Sequence, residues 1–131
     1  MGQVQSFEEL ECWKAGRKFC MRISALSKKF PAEERYGLCS QILRSSRSVC
    51  DNIAEGFGRF HYQENSQFCR QARGSLYEAF NQCITAKDEG FITDSEFEEI
   101  VELYQQTKGL LNGYINYLQR AKFEMKTTPN P

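Results

Sequence analysis

Apolar residues recur at every third or fourth position through four long stretches of this chain, and three short breaks separate the stretches. That spacing is the period of an α-helix with one buried face. No segment shows the two-residue alternation of a half-buried strand, so the chain is predicted to be all-α. Long helices joined by breaks of a few residues must run antiparallel to their neighbours. The expected architecture is an antiparallel up-down-up-down four-helix bundle.

The first stretch opens at Ser6, which with Glu9 has the form of a capping box. It carries Cys12, Gly16, Phe19, Ile23, Leu26 and Phe30 along one face, and Pro31 marks its end. The second runs from about Ala32 to Gly56 with Leu38, Ile42, Ser45, Val49 and Ile53 on one side. Its small residues Ser45, Ser46, Ser48 and Ala54 allow a neighbouring backbone to come close. Gly56 and Gly58 are placed to end it, since glycine takes the left-handed conformation without a side-chain clash. The third, from Tyr62 to Glu89, is expected to bury Phe68, Ala72, Leu76, Ala79 and Cys83, with Gly90 as its stop. Within it, Gly74-Ser75 reads as a close-packing notch, because a helix-interior glycine costs about 1 kcal/mol relative to alanine and something must offset that.

Thr93 and Glu96 form the clearest helix start, a capping box flanked by Ile92 and Phe97 as a hydrophobic staple. This fourth helix is expected to continue to about Met125. One stripe on it is Phe97, Val101, Tyr104, Lys108, Leu111, Ile115 and Leu118; a second is Leu103, Leu110, Tyr114 and Tyr117. A helix in a monomeric bundle needs one apolar face, so the second stripe, together with Trp13 lying off the main seam of helix one, predicts an interface with another copy. The bundle domain is expected over residues 1–126, with 127–131 as a disordered tail because two prolines fall there.

With 131 residues, 40% of them hydrophobic, the chain can build one core but not two. No apolar run approaches the length of a membrane span or signal segment, so a soluble, cytoplasmic protein is expected. The six cysteines, Cys12, Cys20, Cys39, Cys50, Cys69 and Cys83, show no metal-ligand spacing and fall inside helical patterns. They are expected to be reduced and mostly buried. The only histidine, His61, lies in the turn between helices two and three, so a Ser-His-Asp or Cys-His arrangement could use only that one residue, which is expected to be solvated. Neither a Glu-x-x-His pair nor a phosphate-cradling glycine loop is present, so no enzymatic role, metal or cofactor is predicted.

Formal charge is zero for the whole chain, but its distribution is uneven. Residues 14–73 hold twelve basic against five acidic residues, while 78–102 hold eight acidic against one basic. Repeating the basic half around an oligomer would turn a modest patch into a multivalent polyanion site. Arginine suits that role because its planar fork pairs with phosphate bidentately. Arg44 and Arg47 share a helix face, as do Arg70 and Arg73, and with Arg59 they are the candidate nucleic-acid contacts. Asn52, Glu55, Gly56 and Gly58 read as a structural corner, with Glu55 accepting from Arg59 or from backbone donors and Asn52 bonding across the helix pair.

Several strings resemble the signature of the bacterial four-helix bundle family named after a 23S rRNA intervening-sequence protein, the S23 family. They are Phe30-Pro31, Glu34, Tyr36-Gly37-Leu38, Gln41, Arg44, Ser48-Val49, Asn52-Ile53-Ala54-Glu55-Gly56 and Gly58-Arg59. A second block, Phe68 and Ala72-Arg73-Gly74-Ser75-Leu76-Tyr77-Glu78, and the spacing of Phe7, Leu10 and Trp13 extend the resemblance over about residues 7 to 120. The chain departs from the pattern at Leu43, Ser45, Ser46 and Arg47. The resemblance implies a bundle that assembles into a ring-like homopentamer, with distant relatives among the accessory variability determinants of retroelements, which bind a reverse transcriptase and nucleic acid. The resulting expectation is a non-enzymatic scaffold that binds RNA, DNA or a nucleic-acid enzyme; the alternative is a protein-interaction module without nucleic-acid affinity.

Overall fold

A computed structural model describes residues 4–127, with side chains described as far as residue 123. It contains four α-helices, α1 (Glu11–Ser27), α2 (Leu38–Phe57), α3 (Tyr62–Asp88) and α4 (Asp94–Thr127), and no strand among the described residues. Each helix packs on the next and α4 closes back on α1, so the cross-section is a square with one shared interior. This is the antiparallel four-helix bundle that the apolar periodicity predicts. The tail expected at 127–131 lies outside the described residues apart from Thr127, which still belongs to α4.

Two helix starts differ from expectation. Ser6 caps a separate one-turn 3-10 helix at Phe7–Glu9, its hydroxyl accepting from the Glu8 backbone N–H, and α1 begins only after Leu10. After Pro31 the chain makes a second such turn at Ala32–Glu34, and α2 waits until Leu38. The Glu34 carboxylate explains the delay, since it reaches forward to accept from the Leu38 N–H at 3.2 Å and satisfies a donor that the helix leaves open. By contrast the Thr93–Glu96 capping box forms reciprocally: Glu96 N–H donates to Thr93 Oγ1 at 3.1 Å and Thr93 N–H donates to Glu96 Oε1 at 2.8 Å.

The core is layered from Phe19 and Ile23 on α1, Ile42, Val49 and Ile53 on α2, Ala72 and Leu76 on α3, and Ile100, Leu111 and Leu118 on α4, all essentially inaccessible to solvent. On α4 the seam runs through Ile100, Tyr104, Thr107, Leu111, Ile115 and Leu118 rather than through Lys108, which sits at its edge with its ammonium over the Tyr104 ring. Thr107 is tolerated there because its hydroxyl donates to the Leu103 carbonyl at 2.7 Å and its methyl end faces the space left by Gly16.

Glycines mark where helices close in. A Cβ on Gly16 would lie 3.2 Å from Cys50 Sγ, and one on Gly56 would lie 2.8 Å from both Asn65 Oδ1 and Phe68 Cβ. Gly74 is not a notch: nothing stands within 4 Å of the position its Cβ would occupy. Its neighbour Ser75 makes the contact, bonding Ser48 across the α2/α3 seam at 2.9 Å. Among the described residues, no helix is long and apolar enough to cross a membrane.

Candidate nucleic-acid interface

The five candidate arginines do not converge. Arg44 and Arg47 are exposed on the outer face of α2, one turn apart. Arg59 folds back at the corner, where its guanidinium pairs with Glu55 at 2.8 Å and lies 5.0 Å from the centre of the Phe68 ring. Arg70 is exposed on α3, while half-buried Arg73 donates to Asn112 Oδ1 at 2.9 Å and so faces α4. Arg44 and Arg73 therefore belong to different sides of the bundle.

A cationic surface spans α1 and α2 around Arg17 and Arg47, with Lys18 on the α4 side of α1, where it lines a groove with Gln106 and Leu110. Cys50 Sγ donates to the Trp13 carbonyl and Cys20 Sγ to Ser46 Oγ, which fixes an antiparallel register that brings Arg17 of α1 within about a turn of Arg47 of α2. Arg17, Lys18, Lys28, Arg44 and Arg47 are all exposed, and among the described residues none of them is in an ion pair. Arg17 is held over the Trp13 ring, 5.8 Å from its centre, which orients the guanidinium without neutralising it. Spacing of arginines misses Arg17, Lys18 and Lys28; the signal was the run from Lys14 to Lys29, which holds six basic residues and no acidic one.

Part of that run is consumed within the chain. Arg22 makes a bidentate pair with Glu99 of α4 at 2.9 and 3.2 Å, and Lys29 pairs with Glu96. The basic and acidic segments thus meet across the α1/α4 seam, and the acidic helix start subtracts two cations from the surface that can meet a polyanion.

At the corner, Asn52 does not bridge the helices. Its amide donates back to Ser48, to the carbonyl and to Oγ, both at 2.9 Å, and Ser48 makes the crossing contact to Ser75. Gly56 serves the close approach of α3, and Gly58 is right-handed with φ of -70°. The left-handed residue of the corner is Phe60, at φ of 60°, in the connection between α2 and α3.

The expected oligomer surface is divided. Leu103, Tyr114 and Trp13 are half-buried against their own chain's core, Trp13 meeting Phe7 edge-on with ring centres 5.4 Å apart. The Tyr114 hydroxyl accepts from Asn65 Nδ2 at 3.0 Å, and burial pushes its pKa up to about 12. Leu110 and Tyr117 remain exposed, and so does Met21 of α1. The second stripe of α4 is wide because α4 sits between two neighbours, and half of it, Leu103 and Tyr114, is used within its own chain.

All six cysteines are free thiols. Cys12, Cys69 and Cys83 are buried and Cys20, Cys39 and Cys50 are half-buried. Burial pushes the Cys12, Cys50, Cys69 and Cys83 thiols up to about 12, which keeps them protonated and unreactive.

Comparison with known proteins agrees with this geometry. A solved structure of a protein of unknown function from the S23 ribosomal protein family of Bacteroides thetaiotaomicron superposes with a TM-score of 0.73 at 23% identity. The alignment covers 80% of this chain and 95% of that one, which establishes the shared fold. No curated protein matches the sequence. The family described as 23S rRNA-intervening sequence protein matches residues 8–113, and the chain belongs to that family.

Proposed function

We propose that the protein is a non-enzymatic helical scaffold that assembles with copies of itself, five by the family resemblance, and binds RNA or DNA through the basic surface of α1 and α2. The observation that carries this reading is the set Arg17, Lys28, Arg44 and Arg47, exposed on two adjacent helices and, among the described residues, in no ion pair. One subunit offers only a few phosphate contacts, and counterion release makes such binding weak. A ring repeats the surface, so the second contact is made at high local concentration and avidity rises without new chemistry. A nucleic-acid enzyme, such as a reverse transcriptase, is the other partner this basic surface would take.

The test is binding to a random-sequence RNA across a salt series from about 50 mM, where screening is weakest. Arg17→Gln, Arg44→Gln and Arg47→Gln together should lower affinity for every sequence and flatten the salt slope. Arg70→Gln with Arg73→Gln should do less, because Arg73 is engaged with Asn112. Absence of wild-type binding at low salt would move the basic surface to protein docking and place the interaction-module reading first.

A further inference from the structure

We propose that the α2/α3 corner carries a second, distinct contact for nucleic acid, a site that takes one unpaired nucleotide with its base stacked on Phe60. The inference rests on the reading that this protein binds nucleic acid, and it adds the form of the ligand: an unpaired strand.

Phe60 has φ of 60°, a backbone conformation that a bulky L-residue rarely adopts, and its side chain is 86% exposed. Strain of this kind is ordinarily offset by packing. Here the ring is not part of the core, unlike its neighbours Phe57 and Tyr62, which pack against it. The chain therefore holds an aromatic face out in water at a conformational cost that glycine would avoid.

That ring stands at the rim of an open groove of about 630 Å³, within the size range of small-ligand sites. Tyr62, Gln63, Glu64 and Gln67 of α3 form one wall and Lys122 of α4 contributes a cation. The chemistry selects the occupant. An apolar helix or peptide seated here would strip water from two amides, a carboxylate and an ammonium without repaying them. A nucleotide matches each: a π-face for Phe60, base-edge donors and acceptors for Gln63 and Gln67, an exocyclic amine for Glu64, and a phosphate for Lys122. In a duplex the base faces are stacked on one another, so the site takes single strands.

The test uses the full-length protein and two fluorescein-labelled probes, a cytidine decamer and a duplex RNA of equal length, followed by anisotropy. Phe60→Gly relieves the left-handed strain, so its melting temperature should rise, which separates loss of binding from loss of fold. Its affinity for the single strand should fall about five- to 150-fold, the range of one lost stacking contact, with duplex affinity unchanged. Phe60→Trp should retain single-strand affinity, and Lys122→Gln should lower it and reduce the salt dependence. Equal single-strand binding by wild type and Phe60→Gly overturns the inference. If that result comes while the α1/α2 arginine variants still weaken binding, the scaffold reading stands without it; a wild type that binds neither probe overturns both.

Discussion

Lys29, just past the end of α1, donates to the Glu96 carboxylate through Oε1, the same oxygen that accepts the Thr93 N–H at the start of α4. One carboxylate thus caps a helix and ties it to the helix beside it. The Lys29 hydrogen bond is the main cause of its low pKa, about 2, with the Thr93 N–H adding to it. A carboxylate depressed in the folded state stabilises the fold above its ordinary pKa of 4.5, and that contribution is lost as pH falls toward 2. Glu96→Gln keeps a capping acceptor but loses the charge. Its melting temperature should lie below wild type at neutral pH, and the gap should close as pH falls from about 4.5 to 2, followed by circular dichroism.

Gly56 and Gly74 should respond in opposite directions to alanine. A methyl at Gly56 would meet Asn65 Oδ1 and Phe68 Cβ at 2.8 Å and the Asn65 carbonyl at 3.0 Å, so α3 must move away from α2. Overpacking of this kind costs about 1–3 kcal/mol, which outweighs the helix-propensity gain of about 1 kcal/mol. At Gly74 only the gain applies, since nothing lies within 4 Å. Urea midpoints should fall for Gly56→Ala and rise for Gly74→Ala; a stabilised Gly56→Ala would show that the α2/α3 seam is looser than this geometry.

The contrast between those glycines shows what the sequence could and could not reveal. Helix number, order and direction are local, repeated along tens of residues, and so were legible from periodicity. The Thr93–Glu96 box was legible because both partners lie within one turn. Ser6 with Glu9 has the same form, but the chain turns after three residues and Leu10 begins the helix instead. Which face of α4 is central depends on two neighbours, so Lys108 looked like a core interruption while Thr107 held that place. The directions of the basic side chains were hidden for the same reason: spacing tells which residues share a helix face, and only packing tells that Arg73 turns to Asn112 or that Glu96 and Glu99 pair with Lys29 and Arg22.

Thiol chemistry should follow burial. Cys12 of α1 and Cys69 and Cys83 of α3 sit in the core with pKa values pushed up to about 12, and Cys50 is shielded against Trp13 and Gly16. Native-state titration at pH 8 should find Cys20 and Cys39 reacting ahead of these four, with all six reacting in denaturant. Prompt modification of Cys69 or Cys83 in the native protein would mean the bundle opens far more readily than its packing implies.

Assembly should depend on the exposed part of the second α4 stripe and not on its buried part. Leu110 and Tyr117 are 36% and 51% exposed, while Tyr114 is committed to Asn65 inside its own chain. Tyr114→Glu would place a charge beside a core amide and lower stability, so it cannot separate folding from association. Leu110→Glu with Tyr117→Glu changes only side chains that already reach solvent, and each bundle should keep its melting behaviour at low concentration. A heterologous ring closes only if every contact holds, so weakening one surface on each subunit weakens all of them at once. Light scattering at micromolar concentration should therefore show an oligomer for wild type and a 15.2 kDa species for the double variant. A wild-type mass of one chain would remove the avidity on which the nucleic-acid reading relies, and unchanged assembly in the double variant would move the interface to another face, with Met21 on α1 the next exposed apolar residue to substitute.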